Sequence, residues 1–158
     1  MDKLPVDYDT AERIALGGDE IVVLASCADT AGALFAIEMR MPPGGGPPVM
    51  HRHAPGEVYL VRSGEFTFYL GDEEPARRIT AGAGDVVPMA GGIPHTVRNE
   101  SDEDAVAFVV HAPGGPMEGF SRAAAALAED AEPTMDAVLA IAGEHGIELL
   151  GPAPTPGS

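Results

Sequence analysis

Tryptophan is absent, cysteine occurs once, and lysine plus arginine number nine in a chain of 158 residues. With Cys27 alone no intramolecular disulfide can form, so stability must come from burial rather than cross-links. Its place beside an apolar run reads as a small buried hydrophobe, not a reactive thiol. Nine basic against 25 acidic residues leave a formal net charge of −16. Such a surface argues against nucleic-acid phosphates and anionic membranes as partners, because both are attracted by clustered Lys and Arg. No apolar run approaches the roughly 20 positions of a membrane helix. The first 18 residues, MDKLPVDYDTAERIALGG, lack the basic start and apolar stretch of a signal peptide. A soluble, cytoplasmic protein with one hydrophobic core is therefore expected, without internal repeats.

What the chain has in quantity is glycine and proline, 20 and 15 residues, set between short β-branched and aromatic runs. Residues 7–16 read as weakly helical or irregular, ended by Gly17-Gly18. Residues 20–27 (EIVVLASC) and 32–41 read as strands, the first suited to covering a sheet edge. Residues 57–61 and 65–70 flank Ser63-Gly64 and read as a hairpin. Short strands are also expected at 77–80, 85–88, 95–99 and 105–111. Helical spacing then appears over 117–130 and over 134–145, the second started by a Thr134 N-cap or by Pro133 and ended by Gly146 as C-cap. Residues 151–158 (GPAPTPGS) read as a frayed tail. The expected division is an N-terminal extension with a covering strand (1–31), a β core (32–112), a helical segment (113–150) and the tail (151–158), all one domain.

The chemistry concentrates in two stretches. In residues 45–64, GGPPVMHRHAPGEVYLVRSG, His51 and His53 are one residue apart, so on a strand both imidazoles leave the same face. Glu57 follows a bend built from Ala54, Pro55 and Gly56. Imidazole nitrogen and carboxylate oxygen together suit one divalent ion among Fe, Mn, Ni, Cu and Zn. Residues 82–99, GAGDVVPMAGGIPHTVRN, add His95 behind a second Gly/Pro turn.

Together these stretches resemble the paired motifs of the cupin superfamily, G-x5-H-x-H-x3-E-x6-G and G-x5-P-x-G-x2-H-x3-N. Gly45, His51, His53, Glu57 and Gly64 match the first at every position. Gly82, Pro88, Gly92, His95 and Asn99 match the second, except that three residues rather than one separate Pro88 from Gly92. That expansion is expected to move the His95 loop outward or to reshape the pocket mouth. The resemblance spans residues 34–111. It implies a mainly β fold, an antiparallel jelly-roll barrel with short C-terminal helices packed outside. It further implies a metal held by His51, His53, Glu57 and His95, and a homodimer, for which the strand at 20–27 is the candidate pairing edge.

Three imidazoles and one carboxylate leave positions open on a six-coordinate ion, the mark of a catalytic metal. The expected substrate is a small enol or hydroxy-ketone chelated through adjacent oxygens, with Glu57 as ligand or general base. Strand parity puts Val49, Tyr59, Val61 and Val97 around it, with either the Phe66/Phe68 or the Thr67/Tyr69 face. His111, at a strand end, is a further pocket candidate, whereas His145 suits a helix C-terminus. Resemblance to quercetinase-type proteins points to a dioxygenase. Non-redox isomerisation, cyclisation or decarboxylation, and a binding protein without turnover, are the alternatives.

Overall fold

The computed structural model describes residues 4–156. Its strands are β1 (Arg13–Leu16), β2 (Asp19–Ala25), β3 (Phe35–Met41), β4 (Val49–Arg52), β5 (Gly56–Ser63), β6 (Glu65–Leu70), β7 (Arg77–Gly82), β8 (Val86–Met89), β9 (His95–Arg98), β10 (Ala105–Ala112) and β11 (Glu148–Pro152). Its helices are α1 (Cys27–Thr30), α2 (Gly115–Asp130) and α3 (Met135–Glu144). The strands form two antiparallel sheets, a six-stranded one in the order β1-β2-β3-β10-β5-β8 and a five-stranded one in the order β11-β4-β9-β6-β7. The expected jelly-roll architecture is present, but the sheets are not closed into a barrel. Among the described residues no ladder joins an outer strand of one sheet to the other.

Period-two alternation builds the core. Phe35, Ile37 and Met41 of β3, Tyr59 and Val61 of β5, Phe66 and Phe68 of β6, and Ala105, Ala107 and Val109 of β10 all turn inward. Tyr59 meets Phe68 edge to face, with centroids 5.1 Å apart at 86°, and Phe66 at 6.0 Å and 69°. Such pairs add about 0.5–1.5 kcal/mol to the stabilisation from burial.

Several expectations need correction. β5 and β6 do not form a hairpin: β5 pairs with β10 and β8, and β6 with β7 and β9. Gly64 is instead the corner where the chain changes sheet, with φ +70°, and a β-carbon there would collide with the Asp104 carbonyl. Residues 7–16, expected to be weakly helical or irregular, are helical only briefly and then join the sheet. A 3-10 turn over Tyr8–Thr10 precedes β1, in which Ile14 pairs with Ile21 of β2. β2 therefore has neighbours on both sides and offers no free edge for a second copy. Cys27 is half-buried at the start of α1 rather than inside the core. Gly151 and Pro152, expected to fray with the tail, instead pair with Met50 and Val49, and Ala153 N–H donates to the Pro48 carbonyl at 2.8 Å. Residues 157–158 of that tail lie outside the described residues.

The helices follow the sequence closely. The Thr134 hydroxyl accepts from Ala137 N–H at 3.2 Å and caps α3, His145 closes it, and Gly146 takes φ +73°. α2 packs on β1 and β3, and α3 on β11. No helix among the described residues is long and apolar enough to cross a membrane.

Candidate metal centre

Strand pairing brings the two motifs together. His51 of β4 and His95 of β9 are direct cross-strand partners, and their rings lie 4.4 Å apart. His53 follows one residue after β4, its ring 5.1 Å from that of His95 and nearly perpendicular to it. One ring nitrogen from each of the three lies within 4.8 Å of the others, so the three histidines are positioned to bind a metal ion. Glu57 reaches in from β5 of the other sheet. Its Oε2 is 2.7 Å from His95 Nε2 and 3.4 Å from His53 Nε2. For comparison, adjacent ligands on a six-coordinate ion with bonds of about 2.1 Å are roughly 3 Å apart.

The outer ring nitrogens set the tautomers. Nδ1 of His95 meets the Ile93 carbonyl at 2.8 Å, Nδ1 of His53 the Pro55 carbonyl at 3.0 Å, and Nδ1 of His51 the Val49 carbonyl at 3.4 Å. A carbonyl only accepts, so each bond places the proton on Nδ1 and bares the Nε2 lone pair. This is how metal-binding histidines are held by their surroundings. Nε2 of His53, Nε2 of His95 and Oε2 of Glu57 are buried without a hydrogen-bond partner although they crowd together. Acceptors facing acceptors in a dry interior repel unless a cation lies among them or one takes up a proton. The donor set therefore fits a divalent ion.

Electrostatics agree. Burial lowers the His51 pKa to about 4, with His95 adding to the effect, so at neutral pH its imidazole is uncharged and free to offer a lone pair. Burial alone would raise the Glu57 pKa, but contacts from His111, His53 and His95 outweigh it and hold the carboxyl well below its usual range. Burial also works to lower His95, and there the Glu57 carboxylate prevails and raises it. A metal binding here competes with a proton on His95.

The expansion between Pro88 and Gly92 does not displace His95. Gly91, inside it, packs on the Ala54 carbonyl, and Gly92 N–H donates to the His53 carbonyl at 2.8 Å, which ties the second turn to the first. Asn99 closes the second motif as a staple. Its amide donates to the Met41 and Glu103 carbonyls at 2.8 and 2.7 Å, and its oxygen accepts from Ser101 N–H and Oγ–H.

The residues expected to surround a substrate divide into groups. Tyr59, Val61, Phe66, Phe68 and Val97 belong to the packed core between the sheets, so the Phe66/Phe68 face of β6 is the inward one. Thr67 and Tyr69 are buried on the opposite face of that strand, where the Tyr69 hydroxyl donates to Glu100. Val49 and His51 are half-buried and Ile93 is exposed, which marks the more open side of the cluster. His111 is not one of the clustered ligands but a partner of Glu57, with Nε2 2.9 Å from Oε1. That contact was hidden in the sequence, since 54 residues separate the two. Only their opposed positions in the β10–β5 pairing reveal it.

Residues 37–111 match the family model of the Cupin domain. Among curated proteins none matches the sequence. Solved structures with a similar fold include the polyketide cyclase RemF from Streptomyces resistomycificus, at TM-score 0.61 and 19% identity, covering 72% of this chain and 80% of that one. A predicted oxalate decarboxylase from Thermotoga maritima aligns at TM-score 0.57 and 24% identity over 69% of this chain and 98% of its own. A cupin-superfamily sugar phosphate isomerase from Silicibacter pomeroyi aligns at 0.56 and 20%, over 68% and 74%. Sheet topology and the three clustered histidines agree with the family model, which identifies residues 37–111 as a Cupin domain.

Proposed function

We propose that this protein is a metal-dependent enzyme whose divalent ion is held by His51, His53, His95 and Glu57. Its substrate is a small molecule with two adjacent oxygens, such as an enol or hydroxy-ketone. The observation that carries this reading is the convergence of Nε2 of His53, Nε2 of His95 and Oε2 of Glu57 in the dry interior, with Oε2 2.7 Å from His95 and 3.4 Å from His53. Four protein ligands leave two positions of a six-coordinate ion open, as catalysis requires and a structural site does not. A bound divalent ion would supply Lewis acidity for chelating the two oxygens and stabilising an enolate.

The chain's own residues do the rest. Val49, His51 and Ile93 mark the side from which substrate enters, and the packed core behind Tyr59 and Val97 excludes water. Glu57, ionised and buried, can take the substrate's acidic proton at Oε2 when it is not needed as a ligand. The first form of the reaction is oxygen-dependent cleavage of an enol or flavonol-like substrate, a dioxygenase reading supported by the ligand set and the apolar interior. A second form is favoured by the activities named for the structural relatives, which are decarboxylation, isomerisation and cyclisation. In that form the chain's residues would hold and orient the same kind of substrate, and no oxygen would be consumed.

Purified protein, analysed for bound metal and then reconstituted separately with Fe, Mn, Ni, Cu and Zn, is assayed on enol and flavonol substrates in an oxygen electrode and again under anaerobic conditions. Oxygen uptake coupled to turnover and abolished by His51→Ala supports the dioxygenase. Turnover unchanged without oxygen selects the non-redox form. Metal binding with no turnover in any reconstitution rejects the enzyme reading in favour of a small-molecule binding protein.

A further inference from the structure

We propose that His111 is the positioning residue for Glu57, donating its Nε2–H to Oε1 so that Oε2 alone faces the three histidines. This rests on the reading of Glu57 as fourth ligand. β10 sets His111 directly opposite Glu57 in the ladder, and Nε2 lies 2.9 Å from Oε1. Because a carboxylate only accepts, the His111 proton is on Nε2, and Nδ1 is left as a bare lone pair. That Nδ1 is buried and has no hydrogen-bond partner.

The orphaned nitrogen is the reason to assign a role. Histidine here is 3% exposed and stacks on Phe35 with centroids 6.2 Å apart. Leucine or phenylalanine would fill such a place without the cost of leaving a buried nitrogen unpaired. What histidine provides in return is a directed donor on the far side of Glu57. A carboxylate free to rotate could offer either oxygen, both, or neither to an ion. Fixing Oε1 on His111 leaves a single orientation in which Oε2 lies between His53 and His95. The residue thus acts through Glu57. Its own nitrogens are outside the ligand cluster, the ring lying 6.4 Å from that of His53.

The test measures metal affinity, not turnover. The dissociation constant for Mn2+ is obtained by chelator competition on the full chain, for the wild type and for His111→Leu, His111→Phe and His111→Gln. Glutamine can place an N–H close to the position of imidazole Nε2, whereas leucine and phenylalanine cannot. Loss of the donor is expected to weaken binding about 10–100-fold, with glutamine recovering most of the loss. The Mn2+ electron paramagnetic resonance spectrum should change in the donor-free variants and return toward wild type in His111→Gln. Melting of the metal-free proteins reports folding, and His111→Phe, which preserves the ring contact with Phe35, replaces the leucine variant should that not fold. Wild-type affinity in a folded donor-free variant overturns the inference, as does a glutamine variant as weak as leucine. A wild type that binds no ion overturns the site itself, and an absence of turnover alters neither measurement.

Discussion

Gly91 sits so close to Ala54 that a β-carbon built on it would overlap the Ala54 carbonyl oxygen and crowd the Pro55 carbonyl carbon. This contact joins the turn after β8 to the bend between His53 and Glu57. One residue on, Gly92 N–H holds the His53 carbonyl. Gly91→Ala should therefore push the two turns apart and loosen His53, His95 and Glu57 together. The expected loss is about 1–3 kcal/mol of stability and roughly tenfold in metal affinity. Ala90→Gly, in the same turn, should leave metal affinity unchanged. Urea denaturation and metal titration of both variants check this, and an unaltered Gly91→Ala would show that the turns do not support one another.

A folded protein that binds an ion its unfolded chain does not bind gains stability by mass action, about 2.7 kcal/mol at a free ion concentration 100 times the dissociation constant. Added Mn2+ or Zn2+ should raise the melting temperature by several degrees, and chelator should reverse the rise. In His95→Ala, which removes the nitrogen nearest Glu57, most of the increment should vanish. A metal-independent melting temperature in the wild type would contradict the centre. Differential scanning calorimetry with and without EDTA makes the comparison.

The common face of His51 and His53 is legible in the sequence because its geometry is local: His-x-His on a strand shares a face whatever the rest of the chain does. What the sequence does not disclose depends on partners distant along the chain. Ser63-Gly64 has the composition of a hairpin turn, yet β5 finds β10 and β6 finds β9, across about 50 and 30 residues. Residues 13–16 (RIAL) carry no strand signal of their own and become β1 only by pairing with β2. Gly151 and Pro152 look like a tail in composition and are held by β4, about 100 residues earlier. The position of His111 could be read as a strand end, but its hydrogen bond to Glu57 could not.

Asp19, at the start of β2, predicts a pH dependence. Its Oδ1 is buried without a hydrogen-bond partner, and burial pushes its pKa up to about 6, against a partial lowering by the Gly46 backbone N–H. The folded state then holds this proton more tightly than the unfolded chain does. Its contribution favours folding below about pH 4 and is lost as pH rises through 6. Discounted for the side chain's partial exposure, the effect is about 1–2 kcal/mol. Asp19→Asn should be more stable than wild type by that amount at pH 7.5 and equal to it near pH 4. Urea midpoints at the two pH values decide the matter, and a variant destabilised at pH 7.5 would refute it.

Glu118 of α2 joins the helical segment to the six-stranded sheet through both carboxylate oxygens. Oε1 accepts from Cys27 N–H at the first turn of α1 at 2.6 Å, and Oε2 accepts from Arg122 Nε at 3.1 Å. Arg122 in turn reaches Glu12, just before β1, at 2.7 Å. Burial would raise the Glu118 pKa, but the Cys27 N–H and the Arg122 guanidinium outweigh it and hold the carboxyl below its usual value. Glu118→Ala strands a half-buried backbone donor and removes one partner of Arg122, for an expected loss of about 1–3 kcal/mol. Glu118→Gln can still accept from Cys27 N–H and should lose less. Because the Glu118 pKa is depressed on folding, its contribution is present above the unfolded value and fades as pH falls through the folded one, so the wild type and Glu118→Gln should converge in acid. A double-mutant cycle with Arg122→Ala at pH 7.5 isolates the pair. Coupling of about 0.5–1 kcal/mol is expected for so exposed an arginine, and zero coupling would assign the stabilisation to the Cys27 contact alone.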